Sequence, residues 1–303
     1  MTTKDTLPAE NAPAATQGPV EAQAARRRYR RAVLQVARRP TAALSILVLA
    51  AVVLAAFLPH LFTSANPLAT NPSQILLAPG HGHIFGTDEV GRDLYARVVY
   101  GAHASLTAAL IAILISFAGG AILGLVAGYF GGAADMVIMR IADVILAFPA
   151  VLLTMAVVTV LGFGTLNVAA AVGTVGIAGM ARVMRSEVLR VREETYVEAA
   201  RVSGAPWYTA LVRHVLPNSV GPLTVLAALE FGTAILSVSS LSFLGFGTPP
   251  PAPEWGALIA DGQEYLSSAW WLTTIPGIVL AVTVIAANRL SRLLDGELER
   301  AMR

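Results

Sequence analysis

The chain has no cysteine, and its only lysine is Lys4. Without thiols it can build no disulfide, no thiolate nucleophile and no cysteine-based zinc site. A phosphate-cradling loop needs Gly-Lys-Ser/Thr after a glycine turn. Lys4 lies instead in Thr3-Lys4-Asp5, so the chain carries no such nucleotide site and any ATP chemistry belongs to a partner. Charge is scarce as well, at 13% of the 303 residues, against about a quarter in a soluble domain. All five histidines fall outside the apolar runs or at their ends. An intramembrane enzyme would therefore lack the converging nucleophile and base it needs.

What the chain has in abundance is apolar sequence, 55% hydrophobic residues gathered into runs near 20 residues long. Runs of that length make this an all-α integral membrane protein. Residues 1–25, rich in Ala, Pro, Thr and Gln, read as a disordered cytoplasmic tail. Residues 26–62 read as a basic segment and the first transmembrane helix, whose apolar run is Thr41 to Phe62. That run is too long, and starts too late, for a simple secretory signal peptide. Residues 63–103 form an external loop. Residues 104–294 hold five more spans: Ala104–Phe130, about Met136–Leu161, Thr165–Met180, Val220–Leu244 and Trp270–Leu290. Residues 295–303 are a cytoplasmic tail.

Arginine counts orient the six spans. Seven arginines precede span one, Arg140 begins span three, six lie between Arg182 and Arg213, and four follow from Arg289. The other side has only Arg92 and Arg97. By the positive-inside rule both termini and the 182–218 loop are cytoplasmic.

That loop is the longest charged segment between apolar runs. Ser186 to Val202 has helical composition, Gly204 breaks it, Pro206 opens a second helical piece, and Pro217 ends that piece. The expected shape is an elbow whose slim tip, Ala199 and Ala200, could enter a groove on another protein. Read from the residues alone, such a loop is either a linker or a docking element.

Within the spans, Gly120, Gly124 and Gly128 recur every four residues, which lets helix backbones approach closely. Gly173, Gly176 and Gly179 make span four similarly thin. Ionisable residues in a span are costly and usually face a bundle interior or water. Arg140 and Asp143, three apart, are expected to form a structural ion pair. Glu230 has no partner within a turn: either another helix supplies one, or the carboxylate lines a watery path.

On the external side, Asp88/Arg92 and Asp93/Arg97 are i,i+4 pairs, and Val90, Leu94 and Val98 share a face. This reads as an amphipathic helix lying at the interface before span two. His81 and His83 read as a solvated loop rather than a metal site, having no carboxylate placed to complete a ligand shell. Pro249-Pro250-Pro251 favours a stiff turn. Trp255, Trp270 and Trp271 fit an aromatic belt near the headgroups. Functionally, this loop could be a docking rim of Pro250, Glu254, Trp255 and Gly256.

These stretches resemble a known family. Glu198-Ala199-Ala200-Arg201 with Gly204, then Leu216-Pro217, resembles the EAA loop of ABC importer permeases. Gly86-Thr87-Asp88 through Gly91-Arg92-Asp93 looks like the external signature of the dipeptide/oligopeptide/nickel branch, as does Ser242-Phe243-Leu244-Gly245-Phe246-Gly247 with Glu254-Trp255-Gly256. The resemblance runs from about Arg28 to Leu294 and implies the type I ABC importer permease fold, in the C-type subunit. It implies as partners a homologous second permease, one or two cytoplasmic ABC ATPase subunits that bind ATP and Mg, and an external substrate-binding protein, with no nucleic acid. This chain would then hold no cofactor and do no bond chemistry. It would sit in the bacterial inner membrane and pass di- or oligopeptides, with nickel, glutathione or another small solute as the alternative cargo. A standalone secondary transporter is the remoter alternative.

The chain also departs from the family pattern. His214 stands where the general pattern has Ile, though His is usual in this branch. The branch's usual Glu, four residues before Ser-Phe-Leu-Gly, is Val238 here, and Glu230 appears two turns earlier. Glu230 is expected to face the pathway and meet a cationic part of the cargo.

Overall fold

A computed structural model describes residues 40–80 and 82–302. The expectations for the 1–25 tail, for the arginines of 26–39 and for His81 lie outside the described residues.

The described residues fold into helices with no β-strand among them, joined by short loops except for the long connection 58–93 and the 244–254 segment. Helix α1 is Pro40–Phe57, α2 is Leu94–Phe130, α3 is Gly132–Ala147, α4 is Ala150–Leu161 and α5 is Thr165–Arg192. Helix α6 is Thr195–Val202, α7 is Trp207–Ala210, α8 is Leu216–Phe243, α9 is Trp255–Asp261 and α10 is Trp271–Met302. Among the described residues five segments are long and apolar enough to cross a membrane, and the bent pair α3–α4, taken as one broken span, gives six. Loops at one end of the bundle carry the 193–206 elbow. Loops at the other carry the Gly86–Asp93 signature and the 244–270 connection.

Helix α2 is the trunk. Its 37 residues span about 55 Å, well beyond the ~30 Å hydrocarbon thickness of a bilayer. The Asp93 carboxylate caps its start, accepting the Ala96 N–H at 2.7 Å. Losing such a cap typically costs about 1 kcal/mol.

The most extensive helix pairing is α2 with α5, which run parallel. The four-residue glycine period seats it. A Cβ on Gly120 would overlap that of Met180, one on Gly124 would lie 2.6 Å from the Met184 Cβ, and one on Gly128 would lie 2.8 Å from the Val188 Cβ. Met180, Met184 and Val188 are themselves four apart, so the two helices share one register. Further toward the signature end, a Cβ on Gly173 would meet the Ala112 carbonyl at 2.8 Å.

Several expectations are corrected. The third span is not one helix. It bends by 102° between α3 and α4, at Phe148-Pro149, where proline bars its predecessor from helical geometry. The Arg140–Asp143 pair does not form. Asp143 accepts from Arg182 of α5 at 2.7 Å, and Arg140 is exposed. Span four does not end at Met180. Helix α5 continues to Arg192, because its arginines find partners on the neighbouring helices: Arg182 on Asp143, Arg185 on Asp135 and Arg192 on the Gly128 carbonyl.

Pro217 does not end a helix either. Leu211–Val215 forms a π-helical turn that leads straight into α8, making one continuous segment from Trp207 to Phe243. Proline has no N–H to give an i−4 carbonyl. The wider turn, in which the Leu216 N–H reaches the Leu211 carbonyl, lets the helix pass this site.

Helices α3 and α4 pack poorly on the rest of the chain. Only Ala142 of α3, and Thr154 and Val158 of α4, are buried. Val137, Ile141, Val144 and Leu152 are exposed apolar side chains that require lipid or another subunit to cover them.

Candidate functional site

The elbow follows from local chemistry. Helix α5 ends at Arg192, and α6 restarts at Thr195, so Ser186–Val202 is two helices rather than one. At the end of α6 the Ala205 N–H bonds the Ala200 carbonyl (3.1 Å) and the Gly204 N–H bonds the Arg201 carbonyl (3.0 Å). This is a Schellman cap, whose C′ residue must be left-handed. Gly204 takes that position with φ +84°. The spacing from Glu198-Ala199-Ala200 to Gly204 is thus set by the geometry of a helix stop.

One residue anchors α6: Val197, fully buried among Met184, Val188, Val191, Val215 and Leu223. Glu198, Ala199, Arg201 and Gly204 are exposed around it, and Val202 is 82% exposed. The elbow is also tied to the end of α2. The Arg201 guanidinium lies 5.4 Å from the centre of the Tyr129 ring, and the Tyr129 hydroxyl donates to the Trp207 carbonyl at 2.9 Å. Arg185 pairs with Asp135 of α3. A push on α6 therefore reaches α2, α5 and α8, and α3 through Arg185 of α5. Leu216 and Pro217 sit at the root of α8, not at the tip.

A groove of about 440 Å³ opens on the flank of the bundle, between α2, α3, α4, α5 and α8. Glu230 lines it, exposed and halfway along α8, with no ion-pair partner among the described residues. Val238 points elsewhere, into a buried cluster with Ala108, Val158 and Val168. Glu230 is therefore not the branch's usual carboxylate displaced in register. Eight residues apart, the two positions differ by about 80° around the helix.

The external signature does not form an amphipathic helix. Val90 and Asp88 precede α2, and the segment is a folded turn. The Thr87 hydroxyl donates to the Gln74 carbonyl (2.5 Å) and accepts the Leu77 N–H (2.9 Å). Asp88 accepts the Arg92 N–H (2.8 Å) and its guanidinium (2.6 Å). Gly91, at φ +77°, lies against the Asn71 backbone, where a Cβ would collide. Asp93 caps α2 and meets His83 at 2.7 Å, so it does not pair with Arg97, and His83 is half-buried rather than solvated. Arg97 is 2% exposed. It reaches Asp88 (3.4 Å), the Pro251 carbonyl (3.3 Å) and Asp261 (3.9 Å).

The rim is corrected in the same way. Pro250 is exposed, but Glu254, Trp255 and Gly256 are buried. Glu254 accepts from Ser105 (2.9 Å) and from the Ala257 N–H (3.0 Å). The Trp255 indole donates to the Val98 carbonyl (2.9 Å) and that of Trp271 to the Thr87 carbonyl (3.2 Å). Two of the three tryptophans are thus internal clasps, and only Trp270 is exposed. Residues 86–97 and 251–271 form one latch rather than a projecting rim.

Burial pushes the Asp261 carboxyl above the usual carboxylate range, an effect that the Arg97 charge only partly offsets. Folding therefore favours its protonated form. The charged form is a cost at neutral pH, relieved as pH falls through the raised folded-state value. Asp261→Asn is expected to match or exceed the wild-type melting temperature at about pH 8 and to lose that advantage near about pH 4. A melting series in detergent checks this; a large loss at neutral pH would mean that the Arg97 contact dominates.

Residues 120–300 match the family described as binding-protein-dependent transport system inner membrane component. The chain belongs to that family. As an inner membrane component it is 38% identical to the dipeptide transport system permease protein DppC of Alkalihalophilus pseudofirmus, over 91% of this chain and 90% of that protein. It is 41% identical to the probable D,D-dipeptide transport system permease protein DdpC of Escherichia coli, over 77% and 78% of the two chains. The glutathione transport system permease protein GsiD of Pectobacterium atrosepticum is 41% identical over 70% of each. The crystal structure of an amino acid ABC transporter with histidines superposes with TM-score 0.52 at 16% identity, covering 65% of this chain and 92% of that one. That likeness places this inner membrane component in the type I ABC importer permease fold.

Sequence reasoning missed the polar lining of the groove, Thr233, Ser237 and Ser240 on the face of Glu230. Their spacing of three and four residues inside an apolar run was the available signal. It also missed the buried pair Ser105–Glu254, which no local spacing could reveal.

Proposed function

We propose that this chain is the C-type permease subunit of an ATP-driven importer for di- or oligopeptides, with its termini and elbow in the bacterial cytoplasm. The observation that carries the reading is the elbow: an exposed α6 held by one buried residue and joined to α2, α5 and α8 of the core. An ATPase subunit that receives Glu198–Gly204 in a surface groove would move the helices around the 440 Å³ groove. The arginine distribution supports the orientation. Peptide cargo is supported by relatives named for dipeptides, one matching over 91% of this chain and another over 77%. In this arrangement a sister permease covers α3 and α4, two ATPase domains bind ATP and Mg, and an external binding protein delivers cargo to the latch face.

Reconstitution tests it. The chain, its sister permease, the ATPase and the binding protein should co-purify in detergent and, in vesicles, take up labelled dipeptide only with ATP and loaded binding protein. Uptake by the chain alone on an ion gradient would overturn the reading. ATP-driven uptake of glutathione but no dipeptide would favour the second cargo, which the GsiD relatives support.

A further inference from the structure

Glu230, Thr233, Ser237 and Ser240 of α8 all line the groove. Spaced three, four and three apart, they form one stripe on the helix, about 15 Å long. The other walls add only two polar side chains, Ser116 of α2 and Thr154 of α4, among aliphatic residues. No arginine or histidine lines the groove.

The hydrogen bonds give this lining a direction. A carbonyl oxygen can only accept, so a hydroxyl bonded to one is the donor in that bond. The single Thr233 proton is shared between the Glu230 carbonyl (2.7 Å) and the Glu230 carboxylate (2.6 Å), the hydroxyl donating to both. Ser240 donates to the Leu236 carbonyl (2.7 Å) and Thr154 to that of Ala150 (2.9 Å). Ser116 donates to the Gly173 carbonyl (2.8 Å). These four hydroxyls keep lone pairs, not protons, for anything in the groove. A carboxylate such as that of Glu230 offers acceptors to a ligand. Ser237 alone retains a free donor.

We propose that this groove is an acceptor wall selective for N–H-rich, cationic cargo. An ammonium or guanidinium group docks at Glu230, and amide N–H groups follow the hydroxyl stripe. A carboxylate meets no donor beyond Ser237 and is repelled by Glu230. A carboxylate at mid-span is costly without a counter-charge, and cationic cargo supplies one during passage. This inference rests on the importer reading and specifies the cargo class within it.

The complete transporter in vesicles decides between the outcomes, with Ala-Lys-Ala, Ala-Gln-Ala and Ala-Glu-Ala each loaded to saturation on the binding protein. Saturation removes the binding protein's own affinity from the comparison. Wild type should transport them in the order Lys, Gln, Glu, with about tenfold between first and last. Glu230→Gln should lower the Lys peptide to the Gln rate and leave the Gln peptide unchanged, while Glu230→Asp keeps the order. Equal rates for all three in wild type, or equal slowing of all three by Glu230→Gln, would overturn the proposal alone. So would loss of the sister permease from purified Glu230→Gln complexes, because Glu230 would then pair with that subunit. A wild-type complex that moves none of the three would overturn the peptide reading as well.

Discussion

Gly204→Asp should leave a folded chain that no longer transports: uptake falls about a hundredfold while the six spans keep their melting temperature and basal ATP hydrolysis persists. The fold tolerates the change because the space beside Gly204 is open, with nothing within 4 Å of the added Cβ. What remains is the left-handed backbone, which costs an L-residue roughly 1–2 kcal/mol and Asp less than most. The elbow is held from behind by Val197, so that cost stays local. The transport loss comes from the docking face, where a carboxylate would stand at the exposed tip and carry its charge into a tight protein–protein contact. Gly204→Asn, with the same backbone preference and no charge, should retain most uptake. Normal uptake in the Asp variant would remove the elbow from the docking role.

The second large effect lies in the trunk. Gly120→Val should destroy the chain's packing, with a destabilisation of at least about 3 kcal/mol and loss of most correctly folded protein from detergent extracts. Even a methyl group there overlaps the Met180 Cβ, and α2 and α5 run parallel, so the helices cannot part at one point without losing the contacts of Gly124 and Gly128. Small residues on such a face are what allow helices to associate in lipid, where no hydrophobic force draws them together. Gly277→Val is the control, since nothing lies within 4 Å of a Cβ at that glycine of α10. Comparable losses in both variants would show that glycine in a span matters for a reason other than the α2–α5 contact.

The spans and the elbow were legible because local rules govern them. Apolar length marks a membrane helix, and Gly204 marks a helix stop whose reason, the Schellman cap, appears once the backbone is in view. The glycine period named the packing face but not its partner. The failures share one cause, which is pairing across the fold. Arg182 and Arg185 looked like the start of a loop, yet aspartates of α3 hold them on α5. Asp143 sat three residues from Arg140 and turned to another helix. Trp255 and Trp271 had the composition of a headgroup belt, but each indole N–H found a buried carbonyl. Glu254 looked like an external charge and caps a buried helix. At Pro217 a π-turn, which no residue type announces, replaced the expected stop.

Helix α2 touches the elbow through Tyr129 and the latch through Val98. Those residues are 31 apart in one unbroken helix, about 46 Å along the axis. A stiff rod seated by the glycine seam of Gly120, Gly124 and Gly128 near its elbow end acts as a lever with unequal arms whose two ends move in opposite senses. Rocking it by about 5° around Gly124 would carry Tyr129 by less than about 1 Å and Val98 by about 3 Å, so a small push at the elbow becomes a larger shift at the latch. The elbow on one face and the clasp on the other are then two ends of a single part, and the signal between them needs no relay of side chains through the bilayer.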